Sequence, residues 1–137
     1  HIAAVRRQLS IPVIANGEIW QPEHALQAQS ESGCLDLMLG RGALACPDLA
    51  RAIRQQHNGQ ALESMSWPMV VEELADFFET SDQPDPKYIG NRTKQWLSYL
   101  RLQYPAADLL FQRIKRLRTV PEILAEIELH RHNDLIV

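Results

Sequence analysis

Ile11-Pro-Val-Ile-Ala-Asn-Gly-Glu-Ile-Trp20, answered by Asp36-Leu-Met-Leu-Gly-Arg-Gly-Ala-Leu44, decides the fold of this chain. Each stretch is a short apolar run that ends in glycine beside a polar or charged residue, the pattern of a buried parallel strand handing a loop to a ligand. Strands are expected over Val13–Ala15 and Leu35–Leu39, with Gly40-Arg41-Gly42 as the second loop. Pro22 suits a first helical position, and Glu23 to Ser32 reads as a helix closed by Gly33. Pro47 opens another helix reaching about Gln56. Ahead of the first strand, Ile2, Val5 and Leu9 recur at helical spacing over residues 1–9, and Ser10 to Pro12 breaks the pattern. Strand, helix, strand, helix in that order implies parallel βα units.

A strand end that binds an anion needs backbone N–H groups open to close approach, hence glycine, and a positive charge to neutralise the oxygens. Gly17, Gly40, Gly42 and Arg41 supply both. The bland alternative for each glycine alone is turn geometry; with Arg41 at this separation, a phosphate site is the favoured reading. In a barrel of eight βα units the loops after the seventh and eighth strands form the customary phosphate site. Residues 1–57 therefore read as the last two βα units of a TIM barrel. Two strands cannot close a barrel, and no Met precedes His1. Both features point to a C-terminal fragment of a longer protein.

Residues 57–64 are a polar connector, and no strand pattern follows them. Pro68 opens a helix with Val70, Val71, Leu74, Phe77 and Phe78 on its apolar side, ended by Ser81 to Pro86. A second helix starts near Lys87 or Asn91 and carries Trp96, Tyr99, Leu100 and Tyr104 along one stripe before Pro105 stops it. A third, Ala106 to Leu117, points Leu109, Leu110, Ile114 and Leu117 inward. Thr119-Val-Pro-Glu122 has the capping-box arrangement ahead of a fourth, Ile123 to about Arg131. The expected architecture is α/β plus all-α: two barrel units, then a helical bundle over residues 66–137.

With 45% hydrophobic residues in a chain of 137, the composition is that of a globular protein. No run approaches the roughly 20 apolar residues of a membrane helix, so no membrane partner is expected. Cys34 and Cys46 lack metal-ligand spacing and read as free thiols of a cytoplasmic protein. No metal site is expected; His130 and His132 fall where a helix end frays. The net charge of −3 conceals a segregation. Glu63 to Asp85 holds seven acids and no base; Lys87 to Arg118 holds eight bases against Asp108. Such a basic segment in an acidic protein is the footprint of a polyanion partner, or else a solvated surface paired with the acids before it; charge alone leaves both open.

Three ordered blocks carry a resemblance to a known family: Ile11 to Ile19, Met38-Leu-Gly-Arg-Gly-Ala-Leu44, and Arg92-Thr-Lys-Gln-Trp-Leu-Ser-Tyr-Leu-Arg101. The chain resembles the last third of the bacterial tRNA-dihydrouridine synthases, most of all their C-type branch. The resemblance implies an FMN-binding barrel followed by a helical tRNA-binding domain. It implies NADPH-driven reduction of a D-loop uridine, the sixteenth in the standard count, to 5,6-dihydrouridine in tRNA. By the same resemblance Asn16, Gly17 and Glu18 match the first flavin loop, and Gly40 and Arg41 the loop holding the FMN phosphate. Arg92, Lys94 and Trp96 match the segment that lies against tRNA; Arg101, Arg113, Lys115 and Arg116 extend that basic surface. Trp96, at helical spacing with Tyr99, also reads as core. The family's catalytic cysteine belongs to an earlier barrel loop; Cys34 and Cys46 do not match its motif, so no catalytic residue is assigned. A monomer is expected, and the fragment alone is expected to lack activity. The alternative is a non-catalytic RNA-binding helical module.

Overall fold

The computed structural model describes residues 1–80 and 86–131, except the side chains of Pro86, Lys87 and Ile89. The expected helix end over Ser81 to Pro86, and the residues Asp82, Asp85 and His132, therefore lie outside the described residues or their side chains. The chain divides into two compact units, His1–Ser64 and Met65–Val137.

In the first unit, α1 (Ile2–Arg6) is followed by β1 (Ala15–Asn16), α2 (Pro22–Ser32), β2 (Leu37–Met38), α3 (Arg41–Ala45) and α4 (Leu49–His57). The strands run parallel with α2 between them, Ala15 opposite Leu37 and Asn16 opposite Met38. Pro22 fills the first turn of α2, and Gly33 closes the helix in the left-handed region at φ 70°, its N–H reaching the Gln29 carbonyl at 2.8 Å. A small core of Ile19, Ala25 and Leu49, backed by Leu37, Leu39 and Ile53, holds α2 and α4 to the strand ends.

Several sequence expectations are corrected here. The strands are two residues each, not three and five, because each has a single hydrogen-bonded neighbour. Ile14, Leu35 and Met38, expected in a buried sheet, are exposed. Helix α1 ends at Arg6 and buries nothing; Val5 and Leu9, its expected inward residues, face solvent. Gly40-Arg41-Gly42 is not all loop: Gly40 caps α3, and Gly42 is a buried residue within it.

The second unit contains α5 (Trp67–Thr80), α6 (Pro86–Leu100), α7 (Pro105–Ile114) and α8 (Val120–Arg131). Helix α5 packs on α8 and α6 on α7. Val70, Val71, Leu74, Leu97, Leu100, Leu110, Ile114, Ile123 and Ile127 are sealed in one core. Each such side chain contributes about 1.5–3 kcal/mol relative to exposure, so this unit has far more to hold it together than the first. Tyr104, expected inside a long helix, instead caps α7, and Pro105 opens that helix rather than merely ending the one before. Leu109 is 54% exposed, since Ala106, Ala107, Leu110 and Ile114 define the inward stripe and Leu109 falls beside it. Half of the expected capping box forms: the Glu122 carboxylate accepts the Thr119 N–H at 3.3 Å and the Thr119 hydroxyl as well. Those two donors hold Glu122 below the usual carboxylate range.

His130 does not fray. It is 3% exposed, edge-on to Trp67 at 6.2 Å, with Nδ1 lacking a hydrogen-bond partner. The last turn of α8 is sealed by neighbouring Arg131, which bridges Glu72 of α5 at 2.6 Å and Glu128 at 3.2 Å. No helix among the described residues is long and apolar enough to cross a membrane.

Candidate functional site

The parallel pair delivers two chain segments to one place. After β1 the backbone turns through Gly17 at φ 155° and Glu18 at φ 46°, the latter a left-handed conformation that a side chain adopts at a cost. That turn aims the Glu18 carboxylate at the segment after β2. One of its oxygens accepts Arg41 Nη2 at 2.8 Å and the other accepts Trp20 Nε1 at 2.8 Å. The Arg41 guanidinium lies 5.6 Å from the Trp20 ring centre, so acid, base and ring close a triangle. The pair is mostly exposed, so its free-energy contribution is about 0.2–1 kcal/mol; its effect is to orient Arg41.

Asn16 to Trp20 and Gly40 to Gly42 line a cleft of about 390 Å³. Asn16, Gly17, Glu18, Gly40 and Arg41, singled out from the sequence, therefore share one wall-to-wall space. A methyl group on Gly17 would meet nothing within 4 Å, so its backbone is open to an approaching group. Gly42 has a different task. A Cβ there would fall 1.9 Å from the Ile19 carbonyl oxygen, so this glycine lets α3 press against the first loop. Trp20 was missed as a site residue although it ends the opening stretch; its indole N–H, two residues from an acid, was the available signal.

Neither cysteine presents an accessible, activated thiol. Cys34 is buried, and burial together with the hydrogen bond to Asp48 pushes the Cys46 thiol up to about 12. No cluster of metal-ligating side chains occurs among the described residues.

In the second unit the candidate basic residues separate into three groups. Lys94 of α6 and Lys115 and Arg116 of the turn after α7 line a cleft of about 840 Å³, together with Arg118. Lys94 Nζ donates to the Leu117 carbonyl of that turn. Gly90 forms part of the floor, where a methyl group would approach Ile123 Cδ1 to 3.1 Å. Arg92 is exposed and held by Gln95 at 2.9 Å, off the cleft. Arg101 and Arg113 are committed elsewhere. Arg101 pairs with Asp108 at 3.5 Å and lies over Phe111, and Arg113 pairs with Glu126 at 3.4 Å. Trp96 is half-buried and meets Phe77 edge-to-face at 5.3 Å. Arg118 escaped selection as a site residue because charge counts do not show which bases converge.

The family model described as dihydrouridine synthase matches residues 1–120, across both clefts. The chain belongs to the dihydrouridine synthase family. It is 42% identical over 128 residues to the tRNA-dihydrouridine(16) synthase of Escherichia coli (strain K12), covering 93% of this chain and 39% of that protein. The protein of the same description from Pasteurella multocida is 46% identical over 112 residues, 81% of this chain and 34% of the relative. That from Shewanella oneidensis is 36% identical over 134 residues, 97% of this chain and 41% of the relative. The chain thus spans about two fifths of the length of these curated relatives, and that share includes both the paired loops and the basic helical unit.

Proposed function

We propose that the complete protein reduces a D-loop uridine of tRNA, the sixteenth in the standard count, to 5,6-dihydrouridine with FMN as cofactor and NADPH as reductant. The observation that carries this reading is the extent of the likeness: one family match runs through the glycine–arginine cleft and on into the helical unit with its basic cleft. Residues 1–57 are then the last two βα units of the barrel, and residues 66–137 the tRNA-binding domain of a cytoplasmic, monomeric enzyme.

The residues present suit a phosphate-bearing cofactor. Gly17 and Gly40 leave backbone amides accessible, Arg41 brings a guanidinium, and the cleft between them is open. Asn16, Gly17, Glu18, Gly40 and Arg41 would hold FMN, with Gly40 and Arg41 toward its phosphate. FMN, when bound, supplies hydride transfer to the uracil ring. This chain's part is to hold the cofactor and dock the RNA. Lys94, Lys115, Arg116 and Arg92 would belong to the face that docks RNA, where each neutralised phosphate releases counterions. The thiols of Cys34 and Cys46, one buried and one with its proton held far above neutral pH, are unsuited to proton donation.

The test uses the complete protein with NADPH and tRNA that lacks dihydrouridine, mapping the product by mass spectrometry of nuclease fragments. Dihydrouridine at the stated D-loop position is the expected result. Tight tRNA binding without any dihydrouridine would replace this reading with that of an RNA-binding module.

A further inference from the structure

The turn from Lys115 to Arg118 carries three of the four cations in the basic cleft, yet it is a junction between two helices rather than part of either. The last α-type bond of α7 runs from the Lys115 N–H to the Phe111 carbonyl, the Leu117 N–H closes a tighter turn onto Ile114 at 3.0 Å, and α8 begins only after Thr119. Leu117 packs its side chain against the helical core. The hydrogen bond that ties its carbonyl to another helix comes from Lys94 Nζ, 23 residues earlier on α6. The Leu117 carbonyl lies in the turn, outside both helices, and a charged ammonium satisfies such a backbone acceptor with a charge-assisted hydrogen bond. An ammonium group has three donors, so one bond to Leu117 leaves its charge unneutralised.

We propose that Lys94 is a positioning residue: its ammonium clamps the 115–118 turn to α6 and thereby sets Lys115, Arg116 and Arg118 at the spacing that receives successive RNA phosphates. This rests on the reading of the helical unit as a tRNA-binding domain, but the clamp itself is a property of the protein alone. Without it, the cations remain on an exposed turn held by the Leu117 side chain and the bond to Ile114 but no longer tied to α6, and the rest of their ordering must be supplied at the moment of binding.

The test is Lys94→Met in the complete protein, with Lys94→Arg as the variant that keeps a donor for the Leu117 carbonyl. The first measurement needs no RNA. Trypsin cleavage after Lys115, Arg116 and Arg118 is expected to accelerate in Lys94→Met and to return toward the parent rate in Lys94→Arg, while cleavage after Arg101 stays constant. An unchanged rate at 115–118, or equal acceleration after Arg101, overturns the clamp. The second measurement is a double-mutant cycle on tRNA affinity. Arg116→Ala is expected to weaken binding about tenfold in the parent and less than about twofold in Lys94→Met, because the turn has already lost its placement. The slope of log K against log salt is expected to fall by more than the roughly 0.9 of a single lost phosphate contact in Lys94→Met. Additive losses and a slope change of a single contact would make Lys94 an ordinary phosphate ligand and overturn the positioning role. Faster cleavage at 115–118 with no change in tRNA affinity in any of these variants would keep the clamp and remove the tRNA reading of this face.

Discussion

Gly42→Ala probes the contact that brings the two loops together. The new methyl carbon would stand 1.9 Å from the Ile19 carbonyl oxygen, 3.0 Å from the carbonyl carbon and 3.1 Å from Leu49 Cδ2. Leu49 can rotate away, but the Ile19 carbonyl is backbone, fixed one residue before the indole that bonds Glu18. To restore ordinary contact, α3 and the first loop must separate by about 1.5 Å. Overpacking of this kind costs about 1–3 kcal/mol, and alanine returns up to about 1 kcal/mol through its better helix propensity. Because the closest approach is to backbone, the upper end of that cost applies, and the net expectation is a loss of about 2 kcal/mol, roughly thirtyfold in the folding equilibrium of this unit. Separation of α3 also pulls Arg41 from Glu18, so flavin retention in the complete protein should fall with stability. Urea denaturation and the flavin-to-protein absorbance ratio read the two effects. Gly59→Ala is the control: its φ of 66° is strained for alanine, but the methyl meets nothing within 4 Å, so it should lower stability without depleting flavin. An unchanged midpoint and a full flavin complement in Gly42→Ala would show that the close approach to Ile19 does not organise the cleft.

Arg41→Ala in the complete protein should deplete flavin first and leave tRNA affinity within about twofold; equal loss of both would indicate misfolding rather than a lost phosphate ligand. Arg92→Ala should weaken tRNA binding and reduce the salt slope by about 1, whereas Arg113→Ala, already paired with Glu126, should do less; electrophoretic titration at several salt concentrations separates them, and a larger effect at Arg113 would reverse the assignment. His130 contributes a pH dependence of known sign. Burial, reinforced by the Arg113 charge and opposed by Glu126, holds its imidazole below the ordinary range in the folded state. The unfolded chain therefore takes up the proton first as pH falls. The stability present above the ordinary imidazole pKa is lost on acidification toward the lower folded value. Denaturation midpoints measured between about pH 8 and pH 5 should fall more in the parent than in His130→Phe, and parallel curves would remove His130 as the cause.

The sequence made the order of elements readable because its punctuation is local: Pro22 starts a helix, Gly33 ends one, and Thr119 with Glu122 marks another start. It also brought residues 16–18 and 40–41 into one expected site, since parallel strands with one helix between them place both following segments at the same sheet end. What it could not convey was pairwise distance. Gly42 carries the same letter as Gly40, but one caps a helix and the other makes room for a carbonyl. Strand length was overestimated because the apolar Ile14, Leu35 and Met38 read as buried strand residues, whereas each strand has one hydrogen-bonded neighbour and these side chains are exposed. Among the bases, Lys94 and Arg118 converge on one cleft while Arg101 and Arg113 are taken by acids, a sorting set by where each falls on α6, α7 and the turns that follow them and invisible to a charge count.

The two clefts tether their cations in opposite ways, and the difference suits different ligands. Arg41 is held by a carboxylate, so the pair is locally neutral, and a phosphate arriving there must be held largely by amide N–H groups and the guanidinium donors that Glu18 leaves free. Lys94 is held by a carbonyl, which orders the side chain without cancelling its charge, and Arg116 and Arg118 carry no ion pair among the described residues. Strong local charge attracts a long polyanion and makes binding depend steeply on salt, while a short-range net of donors retains a small ligand with little such dependence. A cofactor that stays through many turnovers needs the second property, and an RNA that must arrive and leave needs the first. Under the proposed function, Glu18 beside Arg41 is then no contradiction: it gives up part of the field to gain a fixed direction, and the Lys94–Leu117 bond gains direction while keeping the field.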